Sequence, residues 1–463
     1  VKNISRRQFL AASAVAALAG YKANVFADTN KPPTNANSPL PWRNWSGSAI
    51  GHPEGRVSPP SEEALSAYLK STTGTIRPVG SGHSFTPLVP TTGNIIVADQ
   101  FNGMINHNPD KMTATFGAGT RLADMGGALQ QVGQAFFNLP DIDRQTLAGA
   151  TATATHGTGI NFQCLSGYIT HLRLVSPQGE IIDIDETSDP ALFNAARVSL
   201  GALGVITQIT LKNRAPYRLK QRSWVANTND ILENFDHHAA NHRHFEILPL
   251  THSDYCFVIS TDETEQAINN PPPSPEEEAA MGAAMRSWMS IPPQDRRPLI
   301  NGLAEQIQPS EKIDESYKVL TNVRSNRFNE MEYAVPLDAG ADCLREILQT
   351  ISDKRIDVVF PLEYRYVSRD DTLLSMSSGH EDHAAISVHR TASEDYRPYF
   401  DLIEPIFWKY GGRPHWGKIH TLSQPQLSKL YPGFEQFQSI RKQLDPRGRM
   451  LNDHLRTLFG ESA

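Results

Sequence analysis

The sequence predicts an α+β protein built in two parts. From Ile76 to Leu211, β-branched runs alternate with glycine turns and short helical stretches. After Pro216 the character changes, and strand-like runs return at Tyr333–Pro336, Val358–Val367 and Ala384–His389, with a helix at Ala341–Ser352 between the first two. With 463 residues, 39% hydrophobic and 20% charged, the chain is long enough for two or three domains, each with its own core.

The first residues carry their own signal. Val1–Ala27 holds Lys2, Arg6, Arg7 and Lys22 and no acid, so without it the net charge moves from minus 7 to minus 11. Ser5-Arg6-Arg7-Gln8-Phe9-Leu10 precedes the weakly apolar run Ala11–Gly20, and Val25-Phe26-Ala27 offers a small-residue cleavage site. That pattern reads as a twin-arginine export signal over 1–27, because the apolar run is about half of the roughly 20 residues a spanning helix needs. Periplasmic or secreted placement is therefore expected. The acidic remainder argues against nucleic acid and against electrostatic docking on anionic lipid. Residues 28–44, rich in Pro, Asn and Thr, read as a flexible leader.

Further along, Ser58 to Lys70 contains a capping serine with acids in the first turn and starts a helix. Ile95–Asp99 is a strand, Thr113–Gly117 a strand followed by a tight turn and a helix to about Val132. His171–Ser176 and Glu180–Ile184 form a hairpin about Gln178-Gly179. An excursion at about 262–310 includes Asn269-Asn-Pro-Pro-Pro-Ser-Pro-Glu-Glu-Glu, which cannot form a strand core. Cys164, Cys256 and Cys343 are too few and too widely spaced for a disulfide framework or a zinc site, though one bridge fits an oxidising compartment. His380-Glu381-Asp382-His383 and His237-His238 lack a partner cluster at defined spacing, so no metal is expected.

Two glycine motifs carry the chemistry. Gly80-Ser81-Gly82-His83-Ser84 and, some seventy residues later, Ala154-Thr155-His156-Gly157-Thr158-Gly159 each let backbone approach a flat, phosphate-bearing ligand. A histidine inside the first turn sets an imidazole against that ligand, a combination that points to a flavin. Thr113–Met125 and Leu200-Gly201-Ala202-Leu203-Gly204-Val205-Ile206-Thr207 complete a series of four pieces in order.

In these four pieces the chain resembles the vanillyl-alcohol-oxidase-type FAD family, and within it the sugar-lactone and alditol oxidases, from about Trp45 to Gly460. The resemblance implies a two-part FAD-binding domain (45–215, closed by a returning C-terminal segment at 436–463) and an α+β cap that binds substrate (216–435). It places His83 where family members with a covalent cofactor bond the flavin 8-methyl carbon. It assigns the FAD cradle to Val79, Gly80, Ser81, Gly82, Ser84, Gly149, Thr155, Gly157, Gly159 and Val205, with His156 ordering the pyrophosphate loop.

Oxidising a carbinol with flavin also needs a group for the hydroxyl proton and fixed charge near the reacting atoms. In Phe360-Pro-Leu-Glu363-Tyr-Arg365-Tyr-Val367 the two-residue strand period puts Glu363 and Arg365 on one face, where an acceptor and a guanidinium fork can hold a polyol or lactone. A surface ion pair satisfies the same spacing, and the resemblance favours the functional reading. In His415-Trp416-Gly417-Lys418-Ile419-His420 a lysine among aromatics loses solvent, which suits it to exchange a proton with a substrate hydroxyl. The motif looks like the family's active-site lysine segment. Alditol-type relatives carry a serine where this chain has Ala150, which tilts the expectation toward lactones. Expected partners are thus a sugar lactone or related polyol and O2 or a cytochrome or quinone acceptor, with peripheral membrane association left open. Two alternatives remain: a 2-hydroxyacid dehydrogenase, which usually needs more than one cation for the carboxylate, and a flavin-holding electron relay without turnover.

Overall fold

Strand β1 (Trp42–Arg43) pairs antiparallel with β2 (Ile50–Gly51) at the entrance to the fold. Then β3 (Gly55–Val57), β4 (Ile76–Val79) and β5 (Asn94–Val97) form a parallel sheet in the order β3-β5-β4. The helix Glu62–Ser71, whose N-cap Ser61 accepts from the Ala64 N–H, links β3 to β4, the two strands that flank β5. The description, from a computed structural model, covers residues 40–272, 288–322, 324 and 326–462. The export signal, most of the leader and part of the proline- and acid-rich stretch lie outside the described residues.

A second sheet follows: β6 (Met104–Asn108), β7 (Thr113–Gly117), β8 (Ile169–Val175), β9 (Ile181–Asp185) and β10 (Val205–Lys212), antiparallel in the order β6-β7-β10-β8-β9. Its β8–β9 hairpin turns at Gly179, whose φ of +80° suits glycine. The central strand β10 buries Ile206, Ile209 and Leu211.

The cap is one eight-stranded antiparallel sheet of β11 (Arg218–Asn227), β12 (His244–Pro249), β13 (Tyr255–Thr264), β14 (Ser310–Glu315), β15 (Phe328–Pro336), β16 (Glu363–Val367), β17 (His383–Thr391) and β18 (Arg413–Pro414). Their order is β14-β11-β13-β12-β16-β17-β15-β18. The helices Gly340–Asp353 and Arg397–Lys409 pack on it, burying Cys343, Leu344 and Ile347 from the first and Phe400, Ile403 and Phe407 from the second. Two sequence expectations change. The run Val358–Val367 is strand only from Glu363, because Pro361 cannot donate to a ladder. The excursion expected from residue 262 starts later: β13 runs to Thr264, and β14 brings the chain back at Ser310 to pair with β11. Within it, Trp288, Ile300 and Ala304 bury against Phe257 and Ile259 of β13.

The tail returns to the first domain through buried polar contacts. Ile76 N–H donates to Arg449 O at 2.8 Å, the Arg77 guanidinium bonds Met450 O, and Asn452 Nδ2 donates to Pro87 O and Pro90 O. Cys164, Cys256 and Cys343 are all buried free thiols, so none is bridged.

Candidate active site

The first glycine turn leaves β4 with no room for side chains. A Cβ on Gly80 would sit 2.0 Å from Thr146 Oγ1, and Gly82 has φ +67°. Thr146 is itself committed, because its hydroxyl caps the helix Leu147–Ala152. The N–H groups of Ser81, Gly82, His83 and Ser84 find no acceptor among the described residues, and buried Ser81 Oγ is likewise unpartnered. Successive free amides in a turn make an anion-binding concavity.

That turn floors a cleft of about 930 Å³, open mouth included, lined by Val79, Gly80, Ser81, Gly82, His83, Ser84, Gly149 and Val205 among others. It meets a second chamber of about 1150 Å³ at His83, Ser84, Gln145 and Thr153. Thr155, His156, Glu363, Arg365 and Lys418 line this second chamber. Gly157 and Gly159 line neither cavity. A Cβ on Gly157 would lie 2.3 Å from Leu139 O, and Gly159 N–H donates to Tyr366 O at 2.8 Å. Gly157 packs the loop against Asn138 and Leu139, and Gly159 docks it onto β16. Ala150 is fully buried and lines neither cavity, so the argument from its lost hydroxyl toward lactones carries no weight.

Glu330, Glu332, Glu363 and Arg365 reach the chamber from one face of the cap sheet, whereas Asp141, Arg324 and Lys418 reach it from connecting segments. Alternate residues of three adjacent strands project together: Glu330 and Glu332 from β15, Glu363 and Arg365 from β16, Ser387 and His389 from β17. The register sets Glu330 opposite His389, and Ser387 between Glu332 and Glu363. On the reverse face Met331, Tyr333, Tyr364, Ile386 and Val388 are core.

Glu332, 1% exposed, is the hub. Its Oε1 bonds His156 Nε2 at 2.7 Å, and its Oε2 takes Arg365 Nη2 at 3.1 Å and Ser387 Oγ at 2.6 Å. Burial pushes the Glu332 carboxyl up, but His156, Arg365 and Lys418 outweigh it and hold it well below the usual range. Glu330 behaves alike: burial raises it, while Lys418 and His389 bring it down to about 2. Its carboxylate is paired with Lys418 Nζ and lies 3.5 Å from His389 Nε2. Arg365 also reaches Glu363 at 3.3 Å; burial disfavours its charge, yet Glu363, Glu332 and Glu246 raise its pKa above that of a free guanidinium.

His156 departs from expectation, because its ring joins this network instead of ordering a phosphate loop. His83 stacks on Trp45 with centroids 5.2 Å apart. Burial, then Lys418, Arg121 and Arg144, lower its pKa to about 4, so the imidazole keeps a lone pair at neutral pH. Ligand atoms of His156, Glu332 and His415 lie within 4.8 Å of one another. Arg365 and Ser387 hold the far oxygen of Glu332 and a backbone N–H holds His415 Nδ1, so the group is a hydrogen-bonded knot.

Residues 53–185 match the FAD binding domain family, and residues 209–458 match the D-arabinono-1,4-lactone oxidase family. An L-gulono-1,4-lactone dehydrogenase of Mycobacterium tuberculosis (strain ATCC 25618 / H37Rv) is 34% identical over 91% of this chain and 100% of its own length. The chain belongs to the D-arabinono-1,4-lactone oxidase family. An L-gulonolactone oxidase of Bos taurus is 29% identical over 90% of this chain and 98% of its own. Among solved structures, cholesterol oxidase from B. sterolicum shares the fold with a TM-score of 0.73 at 16% identity, covering 93% of this chain and 99% of that one. As a member of this lactone oxidase family the chain is an FAD-dependent oxidoreductase acting on CH–OH donors. The free amides at 81–84, the close-packed Gly80 and the continuous passage from cleft to chamber at His83 fit a dinucleotide.

Buried histidines should make this family member acid-sensitive. Burial, the largest influence on each, lowers His420 and His415 to about 3 and His83, His244, His383 and His454 to about 4. Unfolded histidines titrate near 6.5. The unfolded chain therefore binds protons that the folded one refuses, and stability present above about pH 6.5 is lost as pH falls toward 4, by up to about 1.4 kcal/mol per pH unit per ring. His389, raised by Glu330 against burial, works in the opposite direction. Urea midpoints should fall steeply between pH 6.5 and 4; a flat profile would contradict the assignment.

Proposed function

We propose that the chain oxidises one carbinol of an aldono-1,4-lactone of the gulono or arabinono type. The observation that carries the reading is the pairing of every cation that lines the chamber among the described residues. Arg324 is bound to Asp141 at 2.8 Å, Arg365 to Glu332 and Glu363, and Lys418 to Glu330. No cation is left for a substrate carboxylate, which disfavours 2-hydroxyacids and suits a neutral polyhydroxylated ring. A mere electron relay has no use for so many buried charges, each costly to desolvate.

FAD, when bound, supplies the hydride acceptor. Glu363 accepts from substrate hydroxyls, and Arg365 donates to them in a fixed fork. Lys418 passes a proton to its partner Glu330 and, as the amine, takes the hydroxyl proton of the substrate. Phe85, Phe328, Phe360 and Leu248 wall the chamber and keep water from these charges.

The test is bleaching of the yellow flavin band under argon, with a panel of aldonolactones beside lactate, followed by air. Bleaching by lactones supports the reading; bleaching by lactate alone, or by nothing, sinks it. Admission of air then reports whether O2, rather than a cytochrome or quinone, accepts the electrons. The reading includes export through the twin-arginine route, which carries folded proteins with cofactor in place, and a covalent bond from His83 to the flavin. His83→Ala should leave flavin that acid precipitation strips from the polypeptide; flavin that stays attached would refute the anchor.

A further inference from the structure

We infer that His415 is a catalytic hydrogen-bond donor: a neutral imidazole whose Nε2–H is held ready for the oxygen of the reacting carbinol as it becomes a carbonyl. The inference rests on the lactone-oxidising reading above and adds to it a group that lies three residues from Lys418 but plays a different part.

The tautomer follows from one backbone contact. Gly417 N–H points at His415 Nδ1 from 3.0 Å. A peptide N–H can only donate, so Nδ1 must present its lone pair and the ring's single proton sits on Nε2. Nε2 has no hydrogen-bond partner among the described residues, and the ring lines the chamber. The backbone around it is clamped from two sides. His415 N–H donates to Glu332 O at 3.0 Å and Ile419 N–H to Glu330 O at 2.8 Å, tying the segment to β15. Phe85 N–H donates to Gly417 O at 2.7 Å and Thr86 Oγ1 to Trp416 O at 2.8 Å, tying it to the first glycine turn. The donor therefore lines the substrate chamber on a segment held both to β15 and to the chain just after the first glycine turn, with little freedom to reorient.

The ring also stays neutral. Glu332 and Glu330 favour its charged form, while Lys418 and His156, the latter with its ring centroid 5.9 Å away, oppose it. Burial exceeds all of these and lowers the pKa to about 3. A donor that neither gains nor loses a proton between pH 5 and 8 can stabilise charge developing on oxygen without competing with Lys418 for the hydroxyl proton. A preorganised donor aimed at developing charge is worth about 10²-fold or more in rate.

Two substitutions separate catalysis from structure. His415→Asn keeps an acceptor for Gly417 N–H but cannot reach the position of Nε2, whereas His415→Gln restores a donor near that position. For lactone oxidation by the FAD-loaded protein, Asn should lower kcat about 10²-fold with KM, flavin content and melting temperature little changed, and Gln should recover about tenfold of the loss. An Asn variant with kcat within about threefold of the parent overturns the inference. Independently of turnover, selective ¹⁵N-histidine spectra of the holoenzyme should show His415 protonated at Nε2 only and not titrating from pH 5 to 8. A proton on Nδ1, or titration in that range, also overturns it. Parent turnover of lactone distinguishes the two levels: without it the lactone reading falls and takes this inference with it, whereas parent turnover with a fast Asn variant removes the inference alone.

Discussion

Arg365→Met should abolish lactone oxidation and destabilise the fold together. The guanidinium neutralises Glu332 and Glu363 in a chamber that holds Glu332 at 1% exposure. Removing one partner of a buried ion pair strands the other, at a cost of about 3–5 kcal/mol. Loss of the donor fork from the substrate should lower kcat/KM by about 10²-fold or more. Urea unfolding and anaerobic flavin reduction measure the two effects separately. Arg365→Lys is the control, since an ammonium restores the charge but not the two-pronged geometry. It should recover much of the stability and little of the activity. Arg365→Met with parent-like reduction rates would remove Arg365 from the substrate site.

Lys418→Met should slow anaerobic flavin reduction by about 10²-fold or more, as expected when a group that handles the hydroxyl proton is removed. The effect on stability should be smaller than for Arg365, because the Lys418 side chain keeps 19% of its surface in solvent. Its partner Glu330 retains the neighbouring His389 ring at 3.5 Å. Stopped-flow reduction with a saturating lactone reads the rate, and an unchanged rate would discard the role of Lys418 in proton handling.

Much of the site was legible before any fold was known. Glu363 and Arg365 share a strand, so a two-residue period already aligns them, and Lys418 follows a recognisable His-Trp-Gly. The Gly80–Ser84 turn announces itself through residue types that only a close backbone approach requires. Glu330, Glu332, Ser387 and His389 were missed, although Asn329-Glu-Met-Glu-Tyr333 carries a visible alternation of acid and apolar residues. Nothing in that alternation says which face is solvent and which is chamber. His156 and Gly159 were misplaced for the same reason: a glycine-rich loop reads alike whether it meets a phosphate or, as here, β16 and Glu332.

The division follows from the range of the forces. Local steric rules and side-chain period act over a few residues, so the amino-acid order alone determined the glycine turns, the individual strands and the pairing of Glu363 with Arg365. Which carboxylate meets which cation depends on β15, β16 and β17 lying side by side, although Glu332, Arg365 and Ser387 are separated by dozens of residues along the chain. Only the closed sheet excludes the water that would otherwise screen those charges, and so only the tertiary structure decided that Glu332 is the hub and that burial disfavours a charge on the His415 ring.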